Sequence, residues 1–446
     1  MKPFIFTVLF AASFCLHALG QGAKHVVLIT IDGFRPDFYL DPSWGAVTLQ
    51  QMMAGGVHAK GVNGVFPTVT FPSHTTLVTG VKPAKHGIYY NDPFEPQGAT
   101  GKWYWEYSAI KSPTIWDALR QANLTSASVL WPVTAGAPID YNIPDIWPIG
   151  NSDRREITAK NGTPGLWAEL EQNATGKLEA HDFNLDKDYL SMDDNVARMA
   201  GYLLRKYKPN FTTVHLAAVD HAEHAQGRHG ENVRKAVAGA DHAIRFILES
   251  LEKAGIKDQT AVIVTGDHGF VDRHTNINPN VWLAKAGLIK DLKKDDWKAQ
   301  FKSASGSTFL HLKDKNDKKT LQQVLQILAA LPQSQQKLFR VLSRQELLQA
   351  GADPNAVLAL APVPGISFGN SYTSQAFTSS QGGTHGYFPD FPDIQTGFIG
   401  YGAGFKKGQV IAEMELVDIA PLAAKLLGLQ LPAAEGMLYP GIITLK

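Results

Sequence analysis

Thr70 is the first residue in the chain whose setting could do chemistry. It lies in the run 65–91, VFPTVTFPSHTTLVTGVKPAKHGIYYN, where a short Val/Phe/Pro/Thr segment leads into helix-compatible spacing over 75–79. Pro72 suits a first helical position, because its missing N–H would have no intrahelical partner there. The Thr70 hydroxyl then stands at or just before a helix N-terminus, where free N–H groups and the dipole favour an anion. Alone, it is only a helix cap. The other candidates follow apolar runs or sit in a Gly-rich turn: Asp32 after HVVLITI, Asp220 and His224 in VDHAEH, Asp267 and His268 in VTGDHGF, and His385 in GGTHGY. Three Asp and three His make a nitrogen and oxygen donor set that suits two Zn²⁺ ions, and Mn²⁺ less well. Two metals about 4 Å apart can hold a phosphoryl oxygen while one activates a nucleophile and the other stabilises developing charge. A Thr hydroxyl has too high a pKa to attack unaided, and a metal would supply the activation. Asn91 and the Phe71 backbone N–H are candidates to hydrogen-bond the remaining phosphate oxygens.

These residues are far apart in sequence, so a scaffold must gather them. His25–Ile31 is a continuous apolar run of the kind expected for a parallel strand covered on both faces. It ends at Asp32, and the carboxyl ends of such strands are where open α/β sheets place their chemistry. Further strands are expected over 126–130, 211–219, 261–265 and 396–401. They alternate with helices over 114–121, 193–207, 231–254 and 417–427. The alternation predicts an α/β fold with a mostly parallel central sheet and helices on both faces. Residues 132–190 lose periodicity and read as an insertion over one end of the sheet, with Tyr141 and Trp147 as candidate substrate platforms. Residues 285–375 mix strands (309–312, 339–341, 357–361) with helices (319–331, 345–350) and read as a small α+β subdomain. The catalytic core is then 21–284 with 376–446.

The 446 residues leave room for one large domain with insertions or two to three ordinary ones. Hydrophobic content of 44% and charged content of 19% describe a globular chain with ample core. A formal charge of +1 gives no steering toward nucleic acid or an anionic membrane. Residues 1–20, MKPFIFTVLFAASFCLHALG, carry Lys2, an apolar run and small residues at Ala18 and Gly20. They read as a secretory signal cleaved between Gly20 and Gln21, which implies a secreted or periplasmic enzyme. No other run is apolar for long enough to span a bilayer. The single cysteine, Cys15, lies inside that signal, so the mature chain is expected to lack disulfides, thiolate chemistry and Cys-ligated metals.

Together and in this order the motifs resemble the alkaline phosphatase superfamily and, within it, the nucleotide pyrophosphatase/phosphodiesterase family. The resemblance rests on VVLITIDGFRPDF, FPTVTFPSHTTLVTGVKPAKHGIYYN, Trp131-Pro132, VDHAEH, VTGDHGF and GGTHGY, and it extends along nearly the whole mature chain. It implies an alkaline-phosphatase-like core. It also implies that Thr70 is the nucleophile, passing through a phosphothreonine. Asp32, Asp267 and His268 would hold one zinc together with Thr70, and Asp220, His224 and His385 would hold the other. Asn91 matches the family's phosphate-binding residue, and Phe71 the residue that offers its N–H and stacks a leaving-group base. His221, Glu223, His74 and His86 fall between or beside matched positions and read as surface or supporting groups. The implied substrate is a small phosphodiester, a nucleotide or a choline-type headgroup.

Related activities fit less well. A sulfatase needs Cys/Ser-x-Pro-x-Arg, and here Ser73 is followed by His74 with no Arg. A phosphoglycerate mutase would carry a Ser nucleophile and Mn²⁺. A phosphomonoesterase adds cationic side chains, and no Lys/Arg pair follows Trp131-Pro132, although Arg154 or Arg155 stand where they could reach inward. A phosphonate hydrolase on the same metals, and a non-catalytic protein that keeps the fold, are the remaining alternatives.

Overall fold

The computed structural model describes residues 22–185 and 189–444, so the signal expected over 1–20 lies outside the described residues. An eight-stranded sheet forms the centre. In chain order its strands are β1 His25–Ile31, β2 Val57–Ala59, β3 Ser126–Trp131, β4 Tyr141–Pro144, β5 Phe211–Leu216, β6 Thr260–Thr265, β7 Phe398–Gly402 and β8 Gln409–Ile411. Their spatial order is β8-β2-β7-β6-β1-β5-β3-β4. The run from β6 to β4 is parallel throughout, and β7 lies antiparallel to both β6 and β2.

β1 explains its own unbroken apolar sequence. Val27, Ile29 and Ile31 enter the core on one face, with residues of the helices Tyr189–Lys206 and Glu231–Lys253. Val26 and Leu28 enter the core on the other, with Leu77 and Val78 of Thr70–Thr79 and residues of Ile115–Gln121 and Ile419–Leu426. A strand covered on both faces has no polar side to show. Parallel strands also end at one edge of the sheet, which brings the segments after Ile31, Leu216 and Thr265 together.

Several local expectations shift. The strand expected to reach Val219 stops at Leu216, and the chain turns at once into helix Ala218–Gln226. Asp220 and His224 are therefore one helical turn apart on a helix rather than strung out beyond a strand. Helix Thr70–Thr79 begins at Thr70 itself, so Pro72 is its third residue, not its first. The first turn of a helix has N–H groups without partners, so a proline there costs no hydrogen bond. Part of the region read as an insertion belongs to the sheet, since β4 is its edge strand, the position that tolerates Pro144. Tyr141 opens β4, at the opposite end from the strand's carboxyl edge, and stacks on Tyr207 (3.9 Å, 18°). It packs the fold and is no substrate platform.

Within 285–375, Ala299–Ser303, Thr308–Leu312, Leu358–Pro362 and Phe339–Ser343 form a separate antiparallel sheet in that spatial order. Val324 and Leu328 of helix Lys318–Ala329 pack into its apolar core.

His86 closes the short helix Pro83–His86 and is fully buried, its Nε2 3.1 Å from Thr76 Oγ1 and its Nδ1 accepting the Ile88 N–H. Burial lowers its pKa to about 3. Below an unfolded value of about 6.5 the unfolded chain binds a proton that the folded chain refuses, so stability falls by about 1.4 kcal/mol per pH unit for this one group. Urea unfolding of wild type and His86→Gln between pH 7 and pH 5 should show a slope smaller by one proton in the variant.

Candidate active site

Six side chains converge where the parallel strands end. Asp32 follows β1 directly, and Asp267 and His268 follow β6. Asp220 and His224 come from the helix after β5, and His385 from the turn after Gly383–Thr384. Asp220, His224 and His385 form one group of potential metal ligands, and Asp32, Asp220 and His268 a second, with all donor atoms in each group within 4.8 Å of one another. Asp267 joins the second group, its Oδ2 3.1 Å from His268 Nε2. Asp220 thus stands between the two, a sharing that the expected one-site assignment did not contain.

The orientation of the imidazoles is informative. His224, His268 and His385 each turn Nδ1 to a backbone carbonyl, of Gly383 (3.2 Å), Gly269 (3.1 Å) and Thr68 (3.0 Å). A carbonyl can only accept, so Nδ1 carries the proton and Nε2 presents a lone pair. Those Nε2 atoms face carboxylate oxygens: His224 to Asp220 Oδ1 at 3.3 Å, His385 to the same atom at 3.5 Å, and His268 to Asp32 Oδ1 at 3.3 Å. Lone pairs aimed at carboxylates are unfavourable, so a cation belongs between them: a metal ion or, in the metal-free chain, the proton of an imidazolium. Asp32 Oδ1, Asp220 Oδ1, Asp267 Oδ2 and His268 Nε2 are all buried without a hydrogen-bond partner, which completes the fit to metal.

The electrostatics show the same tension. Burial pushes the Asp32 carboxyl well above its usual range, reinforced by the Asp267 and Asp220 carboxylates. Burial opposes ionisation of Asp220 and Asp267 too, but His224 beside the first and His268 beside the second hold both below the usual range. Burial and the neighbouring His268 lower His385 to about 3.

Thr70 opens its helix against both groups. Two residues before it, the Thr68 carbonyl holds His385. Four residues after it, His74 donates from Nδ1 to the Thr70 carbonyl (2.9 Å), lies 3.8 Å from Asp267 Oδ2 and accepts from Thr30 Oγ1 (2.9 Å). The Gly-rich turn around His385 follows from crowding. Gly382 (φ +73°) and Gly386 (φ +91°) lie where a Cβ would stand 2.0 Å from the His224 carbonyl oxygen and 1.8 Å from that of Ala304.

Asn91 and Phe71 differ from expectation in detail. The Phe71 N–H donates to Asn91 Oδ1 (2.9 Å), so it braces Asn91 instead of facing a phosphate directly. The Phe71 ring is about 1% exposed, edge-on to Trp103 (5.1 Å) and Trp147 (6.3 Å), and is too buried to stack a base. The partly exposed Trp103 lines a cleft of about 390 Å³ together with Asn91, His224, His385 and Lys302. His74, His86 and Glu223 are interior rather than surface groups, Glu223 in a buried ion pair with Arg35 (2.6 Å). His215, inside β5, escaped sequence reading. Its Nδ1 lies 3.1 Å from the Leu130 carbonyl and its Nε2 3.1 Å from Asp32 Oδ2, so it packs against one Asp32 oxygen and leaves Oδ1 facing the other donors. A histidine in an otherwise apolar buried strand was the available signal.

The model of the type I phosphodiesterase/nucleotide pyrophosphatase family matches residues 26–388, and the chain belongs to that family. Among curated proteins it is 24% identical to ectonucleotide pyrophosphatase/phosphodiesterase family member 1 of Rattus norvegicus, over 90% of this chain and 40% of that one. The chain thus spans about two fifths of the length of the first curated relatives it matches. Among solved structures it resembles murine ectonucleotide pyrophosphatase/phosphodiesterase 5, with TM-score 0.66 and 20% identity over 93% of this chain and 97% of that one. An inactive threonine-to-alanine variant of that murine protein in complex with AMP gives TM-score 0.65 and 20% identity, over 94% and 97%. No helix among the described residues is long and apolar enough to cross a membrane.

Proposed function

We propose that this protein is a secreted or periplasmic metal-dependent hydrolase of phosphodiester or pyrophosphate bonds in small molecules, with Thr70 as nucleophile. The observation that carries the reading is the meeting of two Asp/His groups beside the N-terminus of the helix that Thr70 opens, where the Thr68 carbonyl holds His385 and His74 lies 3.8 Å from Asp267 Oδ2. Their nitrogen and carboxylate donors suit two zinc ions, one held by Asp32, Asp267 and His268 with Thr70, the other by Asp220, His224 and His385. When bound, the ions would polarise the phosphoryl oxygens, activate the hydroxyl and the hydrolytic water, and offset negative charge.

The chain's own part is two displacements at one phosphorus. Thr70 Oγ1 gives up its proton and bonds to phosphorus as the bond to the departing alcohol or nucleotide breaks, and the departing oxygen takes up a proton. Thr70 then carries a phosphoryl ester that keeps the substrate's other substituent. Water attacks the same phosphorus, Thr70 Oγ1 leaves and recovers its proton, and a phosphomonoester is released. Asn91, braced by the Phe71 amide, holds a non-bridging oxygen, and the helix N-terminus favours its charge. The inactivity of the murine threonine-to-alanine variant and its AMP ligand support both the nucleophile and a nucleotide substrate.

The charge inventory favours a diester over a monoester dianion. Arg154 is bound to Asp145 (2.7 Å), Arg155 to Asp153 (2.8 Å), and Lys302, in the wall of the cleft, to Asp92. Each of these three already has a carboxylate, and Arg273, near enough to act on His224, gives its Nε to the Gln381 carbonyl. Paired initial rates with zinc supplied test the reading: bis-p-nitrophenyl phosphate should exceed p-nitrophenyl phosphate in kcat/KM by about tenfold or more, a preference of about 1.4 kcal/mol in the transition state. A monoester preference would overturn the substrate class, and inactivity on both with metal bound would overturn the hydrolase.

A further inference from the structure

The small subdomain meets the Asn91 loop through a sheet face that is both buried and polar. Along Ala299–Ser303, Gln300 and Lys302 share one face with His311 and Phe309, their partners across the ladder to Thr308–Leu312. Phe301, Leu310 and Leu312 take the other face, in the subdomain's apolar core. Gln300, Lys302 and His311 are all buried. Apolar side chains would bury there at less cost, because amides, ammonium groups and imidazoles lose their water. A polar interface of this kind fixes one position for whatever it meets.

It meets residues 90–96. The Tyr90 hydroxyl donates to Asp353 Oδ2 (2.9 Å) and lies 3.3 Å from His311 Nε2. Asp92 is ion-paired with Lys302. Phe94 stacks on His311 (4.0 Å, 11°), and Gln300 Nε2 donates to the Pro96 carbonyl (3.0 Å). Asn91 itself lies in neither helix nor strand, so no ladder holds it; its carbonyl accepts one backbone bond, from Tyr104. Its two neighbours in sequence are anchored instead, one to Asp353 and the other to Lys302.

We propose that Lys302 and Asp353 are positioning residues for Asn91, so that the small subdomain sets the phosphate-binding geometry of the other domain. The proposal rests on the reading of Asn91 as a phosphate-binding residue. Lys302 acts through Asp92, and Asp353 through the Tyr90 hydroxyl. A displacement of about 1 Å at a group that contacts the reacting phosphate is enough to cost about 10²-fold.

The test is a double-mutant cycle on bis-p-nitrophenyl phosphate with zinc supplied, using Lys302→Met, Tyr90→Phe, Asn91→Ala and each double variant with Asn91→Ala. Lys302→Met should lower kcat by about ten- to hundredfold with KM changed by about twofold or less, the pattern of an interaction realised in the transition state. In the Asn91→Ala background the same substitution should cost about twofold or less, because the group it positions is gone. Tyr90→Phe deletes one hydroxyl and keeps the ring, so it should act in the same direction with an unchanged melting transition, even if Lys302→Met folds poorly. Equal losses in both backgrounds, a change in KM alone, or no loss would overturn the positioning role. If Asn91→Ala alone matches wild type, the phosphate-binding reading fails first and takes the proposal with it. If Asn91→Ala is impaired and the losses multiply, only the proposal fails.

Discussion

Thr70→Ala is expected to lower phosphodiester turnover by about 10⁴-fold or more while the protein keeps its metal, the scale seen when a covalent nucleophile is removed. Among the described residues no neighbouring hydroxyl is placed to take over. Thr75 Oγ1 donates to the Phe71 carbonyl, Thr68 Oγ1 to the Tyr387 carbonyl, and Ser73 is wholly buried. The three histidines keep their carbonyl partners in the variant, so the donor atoms stay in place. Rates on bis-p-nitrophenyl phosphate and elemental analysis of the dialysed protein check both halves. Loss of activity together with loss of most of the metal would mean that Thr70 is needed to retain the ion, and would leave the nucleophile unidentified. Retained activity would remove Thr70 from the chemistry.

Asp220→Ala is the second large expected effect, because Asp220 belongs to both groups of donors. Its Oδ1 is the carboxylate oxygen nearest to both His224 and His385, so the variant leaves that group with imidazoles alone. Loss of a supporting contact to a ligand already costs about 10–100-fold in metal affinity, and loss of a ligand should cost more. Elemental analysis should find less than the wild-type metal content, and activity should fall about 10³-fold or more without recovery in excess zinc. The same charges predict what a chelator does to the wild type. Asp32 and Asp267 are buried beside one another and the partly buried Asp220 adds its charge, so removing the cations leaves their repulsion uncompensated. The melting temperature should therefore drop on chelation and recover with zinc. An unchanged melting temperature would mean that these carboxylates do not hold metal.

Much of the fold was legible because buried parallel strands leave a strong trace. His25–Ile31 could be bounded to the residue from its apolar run, and Asp32, Asp267 and His268 stand just past strand ends as expected. Asp220 and His224 were found for a partly mistaken reason. Their four-residue spacing is one helical turn and was itself the signal for Ala218–Gln226, but the apolar Leu216–Ala218–Val219 run masked it. β4 escaped because a short edge strand ending in proline looks like loop. Phe71 shows a different limit. Its backbone position was readable, but burial of its ring behind Trp103 and Trp147 depends on segments distant in sequence. His215 and Lys302 were invisible for the same reason, since each is defined by a partner found only in space.

The most direct test of the account is to trap the covalent ester. Wild-type protein is mixed with a slowly hydrolysed diester and zinc, quenched in acid during turnover, digested and analysed by peptide mass spectrometry. The peptide containing Thr70 should gain the substrate's phosphoryl group with one substituent still attached, and Thr70→Ala should show no such adduct. An adduct on another residue, or turnover with inversion at phosphorus and no adduct at all, would contradict it.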